Sequence, residues 1–288
     1  MASTDSMAPR PGASEPQPAD AARPDVPPPL RQSRPRRSRI ISALVLREVS
    51  TSYGRSPGGY AWTVLEPVGG IALLVLIFSI GLRIRSPSLG VNFPMFYATG
   101  LLVLLSYQRM AGSLASAVIF SKPLLFYPGV TFVDALAGRF IVQVLTQSVV
   151  LYLIFGGIML LFETRTILDL PTILMAFSLA MLVGAGIGCL NAYLIPTFPL
   201  WGSFWGILTF PLMFMSGVFY IYEELPRFGQ AVLWWNPLMH LTGLMRAGFY
   251  PTYQPTYISV PYVLVFALIP LALGLMLLRR HHKRILNL

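Results

Sequence analysis

The sequence predicts an all-α membrane protein: six transmembrane helices preceded by an amphipathic interfacial helix, with short re-entrant or periplasmic helices before the last span. Three observations predict it. Of the 288 residues, 55% are hydrophobic and 11% charged, with a mean hydropathy of +0.65; a soluble domain carries about 45–50% apolar and roughly 25% charged residues. Six apolar stretches each approach the roughly 20 residues that cross a hydrocarbon core. The basic residues flank those stretches, nine of the 21 Lys and Arg preceding Trp62 and four crowding the last ten positions. Such clusters mark membrane flanks drawn to anionic lipid, so the formal charge of +10 does not point to nucleic acid. One cysteine, Cys189, excludes a disulfide framework and a Cys-ligated zinc or iron–sulfur site.

Residues 1–35 are rich in Pro, Ala and small polar residues without periodicity, and read as a disordered cytoplasmic tail. They lack the apolar core of a secretory signal, so the N-terminus is expected to stay on the side of synthesis. Residues 36–58 read as the interfacial helix and its connector. At about 100° per residue, Ile41, Leu44, Val45 and Val49 share one sector and Arg36, Arg39 and Arg47 lie opposite. A basic amphipathic helix of this kind lies in the interface. Glu48 projects from the apolar sector, which predicts that it faces protein.

Residues 59–288 hold the spans, placed near 62–82, 95–118, 136–162, 171–194, 200–222 and 259–278. The second contains Gln108 and Arg109; Arg109 lies roughly 21 Å along it at 1.5 Å per residue, so it snorkels to the far interface or faces the bundle interior. An even number of spans puts both termini on one side. With the termini in the cytoplasm, sixteen of the 21 basic residues fall on that side and five outside, as the positive-inside rule requires. The external segment 223–258 carries Trp234, Trp235, Leu238, Met239 and Phe249, which predicts a short helix dipping back into the interface. No internal repeat is visible, against a secondary transporter built from two related halves.

The chain lacks chemistry of its own. Its only lysines, Lys122 and Lys283, follow no phosphate-cradling glycine pattern, and His240, His281 and His282 have no metal-ligand spacing. No catalytic, cofactor or metal residue is therefore expected, and the energy for any transport must come from a partner.

Three motifs carry a resemblance. Leu46-Arg47-Glu48 is followed by Tyr53-Gly54-Arg55, Gly59-Tyr60-Ala61-Trp62 and Leu65-Glu66-Pro67. Trp235-Asn236-Pro237-Leu238 precedes His240, Arg246 and Pro251, and Thr197-Phe198-Pro199 follows the fourth span. Over residues 40–288 the chain resembles the permeases of type-2 ABC exporters, above all those for capsular polysaccharide and O-antigen. One departure is Gly243, where many relatives have Glu. The resemblance implies a homodimer in the bacterial inner membrane, in contact with membrane lipid and paired with two copies of a separate ATPase that binds ATP and Mg. It also implies a polysaccharide substrate and periplasmic and outer-membrane export partners. The rival readings are a type-2 exporter of a drug or small lipid, and a secondary transporter or channel; the latter works without an ATPase and responds to an ion gradient.

The resemblance assigns ATPase coupling to Arg47 and Glu48 and to the loop containing Lys122, Pro123, Phe126, Tyr127 and Pro128. That loop is unusually apolar and aromatic for an exposed segment, a mark of a partner site. Gly54, Arg55, Tyr60, Trp62, Glu66, Pro67, Arg109 and Arg139 are assigned to gating or structure. Glu66 is an intramembrane carboxylate that needs a partner: Arg139, Arg109 or backbone amides freed by a kink at Pro67. Tyr97, Tyr107, Trp205, Phe210 and Phe214 lie deep enough to line a channel on which sugar rings stack, with lipid contact or core packing as the alternative for each. Trp235, Asn236, Pro237, His240 and Arg246 form the periplasmic motif. Gly184-x-x-x-Gly188 and Gly202-x-x-x-Gly206 permit close helix packing and are expected to serve the fold.

Overall fold

The computed structural model describes residues 37–53, 59–81, 86–125, 129–164 and 166–286. The tail 1–35, Gly54, Arg55, Phe126, Tyr127 and Pro128 lie outside the described residues, as does the side chain of Tyr60. Helices α1 (Arg37–Tyr53), α2 (Gly59–Val75), α3 (Phe93–Ala115), α4 (Ala117–Phe120), α5 (Lys122–Leu125) and α6 (Phe132–Leu161) come first. They are followed by α7 (Leu170–Thr197), α8 (Pro199–Thr209), α9 (Leu212–Met215), α10 (Arg227–Leu233), α11 (Pro237–Phe249) and α12 (Val260–Leu286). A π-helical stretch, Leu76–Gly81, extends α2. Every regular element among the described residues is a helix.

Among the described residues four helices are long and apolar enough to cross a membrane: Ala61–Gly81, Phe132–Leu161, Leu170–Thr197 and Val260–His281. Of the other two predicted spans, 95–118 is α3, which has 23 residues but whose apolar run is broken by Gln108 and Arg109. The predicted span 200–222 is not one helix. It ends as α8, breaks at Phe210-Pro211 and resumes as the four-residue α9. Pro211 has no N–H to continue the ladder, so the helix stops there.

The helix ends follow local chemistry. Proline occupies the first turn of α3, α7, α8 and α11, where a missing N–H costs nothing. A capping box starts α6: Thr131 Oγ1 accepts from the Asp134 amide at 3.3 Å and Asp134 Oδ2 accepts from the Thr131 amide at 2.8 Å. Gly217, at φ 73°, lets the chain leave α9 and turn back over Met239, in a conformation that β-carbons disfavour.

At the centre stands α7. Of its most apolar stretch 72% is buried, against 17% for the same measure on α12. It packs on α3, α11 and α12, and glycine sets the closest approaches. Gly184 and Gly188, one turn apart, face α3: a β-carbon on either would lie 2.8 Å from the carbonyl oxygen of Tyr107 or Ala111. Gly186, on the opposite side of α7, faces the backbone of Ala267 in α12, and Gly274 of α12 faces that of Cys189. Helices in a lipid solvent associate through such close packing rather than through a hydrophobic drive. The Gly184/Gly188 pair thus serves the fold as expected; a β-carbon on Gly202 would meet only Ile195, at 3.8 Å, and one on Gly206 nothing within 4 Å. The first helix, α1, packs along α6, where Gly138 admits Leu44.

Candidate functional site

Two cations organise the end of the bundle where α1, α2 and the α3–α6 connection meet. Pro67 cannot bond to the carbonyl four residues earlier, at Thr63. Arg109 fills the vacancy: its Nη1 donates to the Thr63 oxygen at 3.3 Å while its Nη2 pairs with Glu66 at 2.8 Å. Of the partners open to Glu66, the structure selects Arg109. The Glu66 side chain is 55% exposed and that of Arg109 20%, a charged pair on the surface of the bundle. Charge at membrane depth faces protein or water rather than lipid.

The second cation is Arg139, in α6. Its Nε lies 3.1 Å from Glu48 Oε1, and its Nη1 donates to the Ser113 carbonyl at 2.8 Å and to the Ser116 hydroxyl at 2.7 Å. Its guanidinium lies 4.5 Å from the ring centroid of Phe120, and that of Arg47 lies 5.9 Å from the same ring. Glu48 therefore faces protein, as its place in the apolar sector of α1 predicts. Lys122 is half-buried and Pro123 exposed on α5, while Trp62 on α2 is exposed. Ile119 and Phe120 of α4 are 51% and 44% exposed, leaving an apolar patch beside two arginines.

A cavity of 780 Å³ runs between the second half of α3 and the α8–α9 segment. Tyr107, Trp205, Phe210 and Phe214 line it, with Gln108 and Asn191 as polar groups. A second cavity of 390 Å³ on the other side of α8 shares Tyr107 and Trp205 and reaches Trp235, Asn236 and Pro237. No residue of α8 or α9 is buried. Tyr97, by contrast, is 2% exposed and belongs to the core, in ring contact with Phe78, Phe93 and Phe96. Sequence reasoning passed over Asn191, whose Oδ1 accepts from the Trp201 indole at 2.9 Å. An amide inside an apolar span was the available signal.

At the opposite end the Trp-Asn-Pro motif is a joint. The Asn236 side chain accepts from the Leu238 amide at 3.1 Å, capping α11, and donates to the Met215 carbonyl at the end of α9 at 2.8 Å. His240 is 1% exposed. Its Nδ1 accepts from the Ser259 amide at 3.2 Å, so its Nε2 carries the proton that it gives to the Trp234 carbonyl at 2.7 Å. Burial pushes its pKa below the usual histidine value and keeps it neutral. Arg246 is also 1% exposed. It donates to the Tyr220 carbonyl at 2.7 Å and the Val218 carbonyl at 3.2 Å, with its guanidinium 4.1 Å from the ring centroid of Phe96. The Tyr257 hydroxyl occupies the space a β-carbon on Gly243 would fill, so a larger residue there requires Tyr257 to move.

Residues 39–250 match the family described as ABC-2 type transporter, and the chain belongs to it. Among its relatives is the "Polysialic acid transport protein KpsM" of Escherichia coli, 28% identical over 86% of this chain and 95% of its own length. The "Capsule polysaccharide export inner-membrane protein BexB" of Haemophilus influenzae is 26% identical over 89% and 96%. The corresponding CtrC of Neisseria meningitidis is 26% identical over 85% and 92%. The chain is thus a multi-pass membrane transport protein.

The Glu66–Arg109 pair supplies a direct test. Arg109→Gln is expected to lower the apparent melting temperature in detergent, and adding Glu66→Gln to restore part of the loss. Exposed ion pairs couple by about 0.2–1 kcal/mol in such cycles. Strictly additive effects across the four proteins would show that the two side chains do not interact.

Proposed function

We propose that this chain is the permease subunit of an ABC exporter that carries capsular or a related cell-surface polysaccharide across the bacterial inner membrane. The observation that carries the proposal is the near-full-length match to three relatives whose names specify polysialic acid transport or capsule polysaccharide export. In this reading α2, α3, α6, α7, the broken α8–α9 unit and α12 are the six spans. Residues 36–58, with α1, lie at the inner interface, residues 59–288 form the transmembrane domain, and the tail 1–35 and C-terminus are cytoplasmic. Two copies of the chain assemble with two copies of a separate ATPase that binds ATP and Mg, and hand the polymer to periplasmic and outer-membrane export proteins.

The aromatic cavity beside α8 supports a polymer path. Gln108, among its polar groups, needs something other than lipid to face. Flat aromatic walls hold a sugar chain by its C–H faces without fixing one register. The ATPase docks on the segment from Ile119 to Pro128 together with Arg47, where exposed apolar groups are rimmed by charge; Glu48, enclosed against Arg139, couples α1 to that segment from within.

The test is co-purification. Replacing Phe126 and Tyr127 together by Ala is expected to release the ATPase and abolish export with the permease still in the membrane, since interface anchors typically cost about 2 kcal/mol or more each. Phe228, 83% exposed on α10 and on the periplasmic side in this reading, is the control whose removal leaves the complex intact. Retention of the ATPase at the wild-type ratio by the double variant refutes the docking assignment. Uptake of polysaccharide into inverted vesicles without ATP refutes the exporter reading.

A further inference from the structure

We propose that Arg139 is a positioning residue that joins α1 and the α4–α5 turn into one rigid body, so that a push on that turn is delivered through α1 to the first span. The inference rests on the reading of the α4–α5 turn as the ATPase-docking segment and names the residue through which that docking is transmitted.

Helices α4 and α5 have four residues each, far too few to persist without tertiary support. Ala117 and Val118 supply part of it, buried against α6 and α12, and the polar part comes from one side chain of α6. The Arg139 Nη1 bonds reach the Ser113 carbonyl, one of the last oxygens of α3, and the Ser116 hydroxyl at the break before α4. Its flat face covers Phe120, the last residue of α4, and its Nε faces Glu48 of α1. A single guanidinium thus touches the end of α3, the body of α4 and the middle of α1 from its own base on α6. It is sheltered while doing so: the Arg139 side chain is 8% exposed and that of Glu48 12%. Lysine could meet one of these demands at a time, because it has no planar fork and no face to stack.

The arrangement gives force a route. α1 lies against α6 through Leu44 and Gly138, and runs in sequence into α2, the span that carries Glu66 and Pro67. With Arg139 in place, displacing Phe120 displaces the charge that holds Glu48, and α1 follows. Without it, the tie between α4 and α1 falls to the longer Arg47–Phe120 contact, at 5.9 Å. Removing Glu48 alone should weaken the link to α1, leaving the Arg47–Phe120 contact, while the bonds from Arg139 to Ser113 and Ser116 stay, so the two halves of the joint can be separated by experiment.

The experiment uses the full permease–ATPase complex in lipid nanodiscs for hydrogen exchange and in proteoliposomes for export, with wild type, Arg139→Gln, Arg139→Lys and Glu48→Gln. Arg139→Gln is expected to speed amide exchange over residues 117–120 by about tenfold or more, as loss of a charge-assisted bond implies, with α7 unchanged. The ATPase should remain bound and hydrolyse ATP, while polymer exported per ATP falls severalfold. Arg139→Lys should recover part of both signals. Glu48→Gln should leave exchange at 117–120 as in wild type and still lower export per ATP. Unchanged exchange in Arg139→Gln overturns the proposal whatever the transport result. Parallel loss of ATPase binding, hydrolysis and export also overturns it, since that is what damage to the fold alone would give. A wild-type complex in which the α4–α5 turn is protected by Arg139 but makes no contact with the ATPase overturns the docking reading, and the transmission role with it.

Discussion

Replacing Arg246 by Met is expected to lower the apparent melting temperature sharply and to deplete the protein from the membrane. Met fills much of the volume but offers no donor. The Val218 and Tyr220 carbonyls, which the guanidinium holds at 3.2 and 2.7 Å, would each lose a partner, at about 1–3 kcal/mol apiece. The contact with Phe96 would go as well, worth roughly 2 kcal/mol for a desolvated cation over a ring. What fails is the tie between α11 and the turn after α9, because those two carbonyls lie on the chain just beyond Gly217. Arg246→Lys should fall between Met and wild type, since an ammonium restores the charge but cannot span two carbonyls and stack at once. Gly100→Ala should resemble the Met variant by a different route: its β-carbon would sit 2.9 Å from the Val218 α-carbon and 3.4 Å from the Arg246 guanidinium. The measurement is thermal unfolding in detergent beside immunodetected membrane levels. An Arg246→Met protein that melts with wild type would show that the tie between α11 and the turn after α9 is carried elsewhere.

How much of this was legible in the sequence depends on how local each cause is. A span is a local property, because the bilayer demands a fixed length of apolar chain, so α2 with its π-helical end, α6 and α7 fall close to the hydropathy reading, and α12 starts where expected but continues as helix to Leu286 through the basic tail. The break in the fifth stretch was written in Pro211, but hydropathy counts proline without asking for its missing N–H. Glu48 betrayed itself as an acid in an apolar sector, whereas its partner on α6 could not be read, since nothing local links the two. The same limit applies to Arg246. In the sequence it belongs to the motif that follows Trp235-Asn236-Pro237, with nothing local to say that it is enclosed; in the fold its side chain is almost wholly enclosed. Tyr97 shows the reverse error of scale. Depth in a span is readable, but which way a ring points is set by neighbours such as Phe78, which the π-helical end of α2 presents to it.

The contact between α7 and α12 should be the least tolerant of added volume. A β-carbon on Gly274 would lie 2.6 Å from the Cys189 carbonyl carbon and the Leu190 amide nitrogen, and one on Gly186 would collide with the Ala267 carbonyl. Those neighbours are backbone, so no side chain can swing aside; the helices must part. Overpacking a close contact costs about 1–3 kcal/mol and more where the backbone must shift. In lipid no hydrophobic drive restores the contact once dispersion is lost. Gly274→Ala is therefore expected to destabilise strongly, although Gly→Ala inside a helix by itself favours the helix by roughly 0.5–1 kcal/mol. Gly156→Ala, in α6 with nothing within 4 Å of the added carbon, should show only that small gain. The single cysteine makes the effect visible, because Cys189 is 2% exposed and lies at the contact itself. Wild-type protein and Gly156→Ala should resist a membrane-permeant maleimide; Gly274→Ala should label. If Gly274→Ala melts with wild type and leaves Cys189 unlabelled, α7 and α12 are not in backbone contact.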